Sequence, residues 1–450
     1  MTADSKTADA KTADVKAADS KTLFYPPKQL PLMARLVQSI SYPLAQVLYK
    51  FRIQVSEDSV GKVRAVDNAR LVFVCNHPTL EDGMTLFVLS ARLGQLFHYI
   101  VAYESFKGLL GWFIQRLGCY SIRRGLGDRA SISQTLALLK MPRCRLVVFP
   151  EGGCSYQNDT IMPFRPGAIQ LPMSVLAQLA KKATSPDQIP DFYVVPLSLK
   201  YRYGSPMQRV ISDTLTRLET ALNLPDPGGS LDSQSDTPTN ATAKTLDEYH
   251  RLRRVAHAVI VRIETEAREN GMVPDQAAAG GGLDSELLSW NARIEQLRQA
   301  FIQKCESALN IEPNLKLPIR ERVYKVQSLL EELSVNEGSA EDSSVSLNTP
   351  NREELYWDAV RLLNFDAIYD GYVAESPTPE RFLDTLIRLE REVFHLEHAQ
   401  PKAPRKACFY IGEPINLKPY LADYQRDRSG TIERLSESLR QIMQDNLDLA

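Results

Sequence analysis

The stretch from 70 to 204 constrains the fold most. Continuous apolar runs at 70–75, 98–104 and 145–150 are separated by stretches of helical spacing at 83–96, 105–118 and 130–139. A longer run follows at 192–204, and 119–122 offers a further short strand. Runs this short that are apolar throughout fit strands buried on both faces. Strands that alternate with helices indicate an α/β protein, with an at least partly parallel sheet and helices on its faces.

Past Gly204 the texture changes. Helical periodicity runs through 207–222, 246–270, 284–310, 318–334, 351–370 and 379–398. The breaks are polar and rich in Pro, Gly or Ser, and read as disordered linkers at about 225–245, 271–283 and 335–350. Strand character returns at 406–415, and a closing amphipathic helix covers 431–447. The expected organisation is one domain split in the chain, 56–204 and 405–450, with a helical insertion at 205–404 before its last strand.

Two segments precede that domain. Residues 1–22 hold four degenerate pentapeptides, TADSK, TADAK, TADVK and AADSK, with too little apolar surface to offset ordering; a disordered tail is expected. Residues 23–55 carry two apolar sets at helical spacing, Leu32, Met33, Leu36, Val37 and Ile40, then Leu44, Val47, Leu48 and Phe51. Pro43 lies between them and predicts a break or kink at Tyr42, hence an amphipathic helix pair. Such a pair lies in a membrane interface or packs on its own domain, and periodicity does not separate the two.

Composition excludes several classes. Lys+Arg 53 against Asp+Glu 55 leaves no basic excess of the kind nucleic-acid binding needs. No run of about 18 apolar residues suggests a membrane span, and the N-terminus lacks a secretory pattern. The six cysteines are scattered without a CxxC pair, which fits a reducing cytoplasmic compartment. His395 and His398 share a helical segment but have no third ligand in view, so no metal site is expected.

Four short segments carry chemistry. His77 and Asp82 follow the 70–75 run, and a carboxylate five residues past an imidazole can orient it as a general base. Arg123 and Arg124 follow 119–122; paired guanidiniums suit a phosphate dianion, or are simply surface arginines. Phe149-Pro-Glu151-Gly152, with Phe164 to Ala168 beyond it, places a carboxylate and close-approach glycines at a strand end. Pro196 inside the 192–204 run points to an edge strand or a bulge.

Together and in this order, the four segments resemble the motifs of the PlsC-like glycerophospholipid acyltransferases, the 1-acylglycerol-3-phosphate acyltransferase type. The resemblance covers roughly 30–204 and 405–450, where Gly412-Glu-Pro-Ile415 is similar to the family's closing strand. It implies the family's sheet flanked by helices, with His77 and Asp82 as the catalytic pair. Arg124 matches the arginine that ends the second motif, while Arg123 stands where an acidic residue or Asn is common. Thr79, Arg123, Arg124, Glu151 and Gly152 are the expected substrate-binding residues. The implied reaction moves a fatty acyl group from acyl-CoA or acyl carrier protein to a lysophosphatidate-type acceptor, without cofactor, at the inner face of a membrane where the chain is peripheral. Glycerol 3-phosphate, another lysophospholipid or a neutral lipid alcohol are alternative acceptors, and a catalytically silent lipid-binding scaffold is a further reading. Phe106, Leu109, Leu110, Trp112 and Phe113 either line an acyl groove or pack in the core.

Overall fold

The computed structural model describes residues 24–225, 241–273, 289–336, 349–365, 369–397 and 399–449. The chain runs α1 (Pro31–Leu48), β1 (Phe51–Val55), α2 (Glu57–Ala65), β2 (Arg70–Cys75), α3 (Asp82–Leu93), β3 (His98–Ala102), α4 (Gly108–Arg116) and β4 (Cys119–Ile122). It continues through α5 (Arg129–Lys140), β5 (Arg145–Val148), α6 (Gly167–Ala180) and β6 (Phe192–Tyr203). Helices follow: α7 (Gln208–Ala221), α8 (Ala241–Glu269), α9 (Trp290–Ala308), α10 (Ile319–Asn336), α11 (Thr349–Phe365), α12 (Tyr372–Glu375) and α13 (Pro379–Val393). The sheet resumes with β7 (Arg405–Ile411) and β8 (Ile415–Asn416), and α14 (Leu421–Arg426) and α15 (Arg428–Asp448) close the chain.

Among the described residues the strands form one sheet in the order β1-β7-β6-β2-β5-β3-β4, with β8 also paired to β6. It is mixed and mostly parallel; β7 and β8 run antiparallel to β6. The central strand β2 shows why an unbroken apolar run was needed. Leu71, Phe73 and Cys75 pack on one face with Leu86, Leu89 and Phe97, while Val72 and Val74 pack on the other with Leu146, Met173 and Leu439. Alternate residues serve opposite faces, and both faces are covered. A third core, including Leu215, Val259, Phe301, Val323 and Leu386, holds the helices between β6 and β7 together.

Three expectations need correction. The helix pair is one helix, α1, with Pro43 inside it. Proline removes the hydrogen bond to the carbonyl four residues back. Here that is Ser39, an exposed residue whose freed carbonyl water can satisfy. Residues 51–55 are not helical but form β1, which pairs in parallel with β7 at the sheet edge. Pro196 is not on an edge strand, because β6 has β2 on one side and β7 and β8 on the other; the expected alternative, a bulge, is what lies beside it, since residues 195 and 196 face the three residues 412–414. Its carbonyl accepts from Gly412 N–H at 3.0 Å, so its missing N–H faces the step at 412–414 where the chain passes from β7 to β8. The ladder needs no donor there.

The expected tail lies outside the described residues, as do 226–240, 274–288 and 337–348, which hold most of the expected linkers. The described ends of those segments include helix: α8 starts at Ala241 and α11 at Thr349.

Candidate active site

The His77–Asp82 pair lies at the strand end of β2. Asn76, almost fully buried, donates to Leu199 O at 2.9 Å and accepts from Leu199 N–H at 2.7 Å. This ties the turn after β2 to the neighbouring strand. His77 follows, its Nδ1 2.7 Å from Asp82 Oδ2 at the first turn of α3. Asp82 is fully buried and takes three further hydrogen bonds, from Thr79 N–H (2.9 Å), Thr79 Oγ1 (2.7 Å) and Tyr201 Oη (2.8 Å). Burial, and then the Asp82 charge, push the Tyr201 phenol well above its usual range, which keeps it a donor. An acceptor on both oxygens, Asp82 takes a hydrogen bond from His77 Nδ1–H, which keeps the proton on Nδ1 and leaves the Nε2 lone pair free. The ring stacks on Phe149 with centroids 4.3 Å apart, and the His77 carbonyl accepts from Ser155 N–H at 2.8 Å. Arg405, the first residue of β7, lies 4.2 Å over the Tyr201 ring and pairs with Glu81 at 3.1 Å.

His77 opens onto a cavity of about 1370 Å³ that also takes in Arg124, Gly152, Arg165 and Tyr324. The Arg124 guanidinium sits 4.4 Å over the Tyr324 ring and 3.6 Å from Glu104. Arg165 lies 5.7 Å from the same ring and 2.5 Å from Glu321. Burial above all, with Arg320 and Arg124 adding to it, lowers the Arg165 pKa against the pull of Glu321 and Tyr324. Gly152 has φ +79°, a conformation that favours glycine, and a Cβ there would lie 2.1 Å from the Arg165 guanidinium, which would have to move aside. The lining also includes Val72, Ile100, Leu139, Leu146, Val148 and Leu171, apolar residues of the core between the sheet and helices α5 and α6.

The structure thus gathers His77, Asp82, Arg124 and Gly152 at one place and puts the other expected residues beside it. The Thr79 side chain is engaged with Asp82. The Arg123 side chain pairs with Glu332 of α10 at 2.7 Å, and its N–H donates to Asp128. Glu151 is 3% exposed, beneath the cavity wall; its Oε1 accepts from Met162 N–H at 3.4 Å and its Oε2 has no partner among the described residues. Burial pushes its carboxyl up to about 8, against the opposing pull of Arg320. Of the expected apolar groove, Phe106 is buried and stacked on Tyr25, Leu109 and Trp112 point outward, and Leu110 reaches the cavity. His395 packs edge-on against Trp357, and His398 lies outside the described residues.

Tyr201, Arg165 and Tyr324 also belong to the site. Tyr201 and Arg165 lie in segments whose sequence signal comes from other residues, whereas Tyr324 sits in a helix with no distinguishing pattern.

Residues 52–200 match the family model Acyltransferase. They span the sheet from β1 through most of β6 and include the His77–Asp82 pair, Arg124 and Arg165. No curated protein matches the chain.

Proposed function

Starting from an acyltransferase domain of the glycerophospholipid acyltransferase family, we propose that this chain moves a fatty acyl group from acyl-CoA or acyl carrier protein to the free hydroxyl of a lysophosphatidate-type acceptor. One observation carries the reading: the Asp82-oriented imidazole opens onto a cavity whose lining includes both arginines, Arg124 and Arg165 among them, and a set of apolar side chains between the sheet and helices α5 and α6. A phosphorylated lipid alcohol and an acyl chain need those two environments beside one base.

In this mechanism His77 Nε2 takes the proton of the acceptor hydroxyl as its oxygen attacks the thioester carbonyl. Asp82 stabilises the imidazolium that results. The tetrahedral intermediate collapses, the C–S bond breaks, and the leaving thiolate takes the proton back from His77. Arg124 and Arg165 hold the acceptor's phosphate. Glu151, its carboxyl pushed up by burial, supports the loop beneath through the Met162 N–H.

The outer faces of α1 and α4 belong to the same proposal. α1 buries its small and polar residues, Ala34, Gln38, Ser41 and Ala45, and turns Leu32, Leu36 and Val47 outward. Leu109 and Trp112 of α4 are exposed too, and the two helices are joined where Leu30 N–H donates to Arg116 O at 2.9 Å. Large apolar side chains outside and small ones inside suit the surface of a bilayer, where the substrates reside. Among the described residues no helix is long and apolar enough to cross a membrane.

The decisive experiment is an acceptor panel with purified protein, offering acyl-CoA and acyl carrier protein. His77→Ala should cut turnover by at least roughly 100-fold while the fold persists. Arg124→Gln should raise KM for a phosphorylated acceptor and leave the donor's KM alone. Full activity in His77→Ala removes the mechanism. A neutral lipid alcohol as best acceptor, indifferent to Arg124→Gln, removes the phosphate role.

A further inference from the structure

The helical insertion is built into the cavity. Tyr324 comes from α10, Tyr356 from α11 and Arg391 from α13, and all three line the space onto which His77 opens. The seating is close. A Cβ at Gly153 would fall 1.7 Å from Tyr324 Oη, and one at Gly125 would fall 2.2 Å from Lys325 N. Two site loops therefore lack side chains where α10 approaches. Ser328 Oγ donates to Arg124 O at 2.7 Å, Arg320 donates to Gly153 O at 3.3 Å, and Arg388 donates to Ser155 O. The insertion touches the backbone of the loop after β4 and of the loop after β5.

Within this wall Arg391 stands apart. It is 7% exposed, yet it lines the cavity. Its guanidinium lies 4.6 Å over the ring of Tyr156, a residue held at φ 52° on the loop after β5. Its Nε donates to Leu396 O over a long 3.4 Å, and its Nη1 has no hydrogen-bond partner among the described residues. A guanidinium withdrawn from water and left with donors to spare costs free energy until an acceptor arrives. Arg124 and Arg165 both lie near the Tyr324 ring, whereas Arg391 sits on Tyr156, so the cavity's cation–aromatic contacts are made on two separate rings.

We propose that the insertion adds a second anion-recognising subsite, centred on Arg391 and backed by Tyr156, that takes a phosphate or carboxylate of a bound substrate other than the phosphate held at Arg124 and Arg165. The substrates follow from the acyltransferase reading; the subsite itself rests on the geometry of Arg391. The anion comes from one of two sources: a headgroup substituent of the acceptor, or a phosphate of the acyl carrier. The purpose of the insertion is then selection among substrates that share one reaction.

Binding is measured by calorimetry in the full chain carrying His77→Ala, so that no turnover intervenes. The probes are lysophosphatidate, lysophosphatidylserine with its additional carboxylate, and palmitoyl-CoA. Adding Arg391→Gln should weaken lysophosphatidylserine or palmitoyl-CoA by roughly tenfold or more, and whichever falls identifies the source. Lysophosphatidate should bind as before, while Arg124→Gln should weaken both lysolipids. Arg391→Lys keeps the charge and should bind the affected probe with intermediate affinity, which also serves if the glutamine variant does not fold. Unchanged binding of all three probes to a folded Arg391 variant overturns the subsite. Loss of lysophosphatidate in the same proportion overturns it as well, since Arg391 would then belong to the first phosphate site. Wild-type protein that binds these probes but transfers no acyl group would overturn the proposed function and leave this test standing.

Discussion

The sheet and the helical insertion are held together by different means. Phe73, Phe97, Phe192 and Tyr120 are among the largest fully buried side chains of the sheet, and the buried polar groups Asn76, Asp82 and Glu151 collect at the strand ends around the site. The insertion has an apolar core as well, but ion pairs thread it. Arg322 grips Glu306 through two hydrogen bonds, at 2.8 and 2.5 Å, with both side chains almost fully buried. Arg361 bridges Glu392 and Glu266, and Arg293 forks onto Glu264. Strands take their register from backbone ladders, and helices have no such ladder between them. Apolar contact is non-directional, whereas a guanidinium fork fixes both distance and angle. The contrast teaches where specificity is stored: in the backbone for the sheet, in the side chains for the insertion.

Mutations can break that contrast. The largest effect should follow Phe73→Ala, about 4 kcal/mol of stability lost to a cavity, read from urea denaturation. Next comes Arg322→Met, which leaves Glu306 buried and alone and should cost about 3 kcal/mol. The double variant Arg322→Met/Glu306→Met should recover most of that loss, because a buried pair and its apolar replacement are close in energy. If the double variant stays as unstable as the single, the pair contributes net stability as well as specificity, and the two regions differ in energy too. Glu151→Gln should act in the opposite direction. Its raised pKa means the fold prefers the protonated acid, so this preference stabilises fully below the ordinary 4.5 and is lost as pH rises toward about 8. The variant should therefore gain on the wild type across that window, and a pH series of unfolding midpoints checks the slope. Smallest is Ser328→Ala, about 1 kcal/mol for the bond to the Arg124 carbonyl, with the KM of the acceptor as the more sensitive reading.

Legibility in the sequence follows the same division. The buried strands stood out because both faces needed apolar residues, and helical spacing placed the insertion's helices closely, 207–222 against α7 at Gln208–Ala221. β1 was lost because Phe-Arg-Ile-Gln-Val continues the apolar spacing of α1, and its strand character comes from a partner, β7, far along the chain. The His77–Asp82 pair was readable since both residues lie on one turn. Arg123 and Arg124 look alike as letters, yet one pairs with Glu332 of α10 and the other faces the cavity. Tyr324 and Arg391 had no local signal at all; they reach the site only through the packing of the insertion.

The place of β7 has a consequence for the life of the polypeptide. β1 pairs with no strand but β7 among the described residues, and β6 shares its long antiparallel ladder with it, although the whole insertion is synthesised between β6 and β7. A nascent chain that has just released Tyr203 from the ribosome holds an unpaired β1 and an open edge on β6, and Tyr201 still lacks the Arg405 guanidinium over its ring. Until the last strand emerges, that edge is a template for the wrong partner, so the growing chain must be shielded for as long as the insertion takes to make.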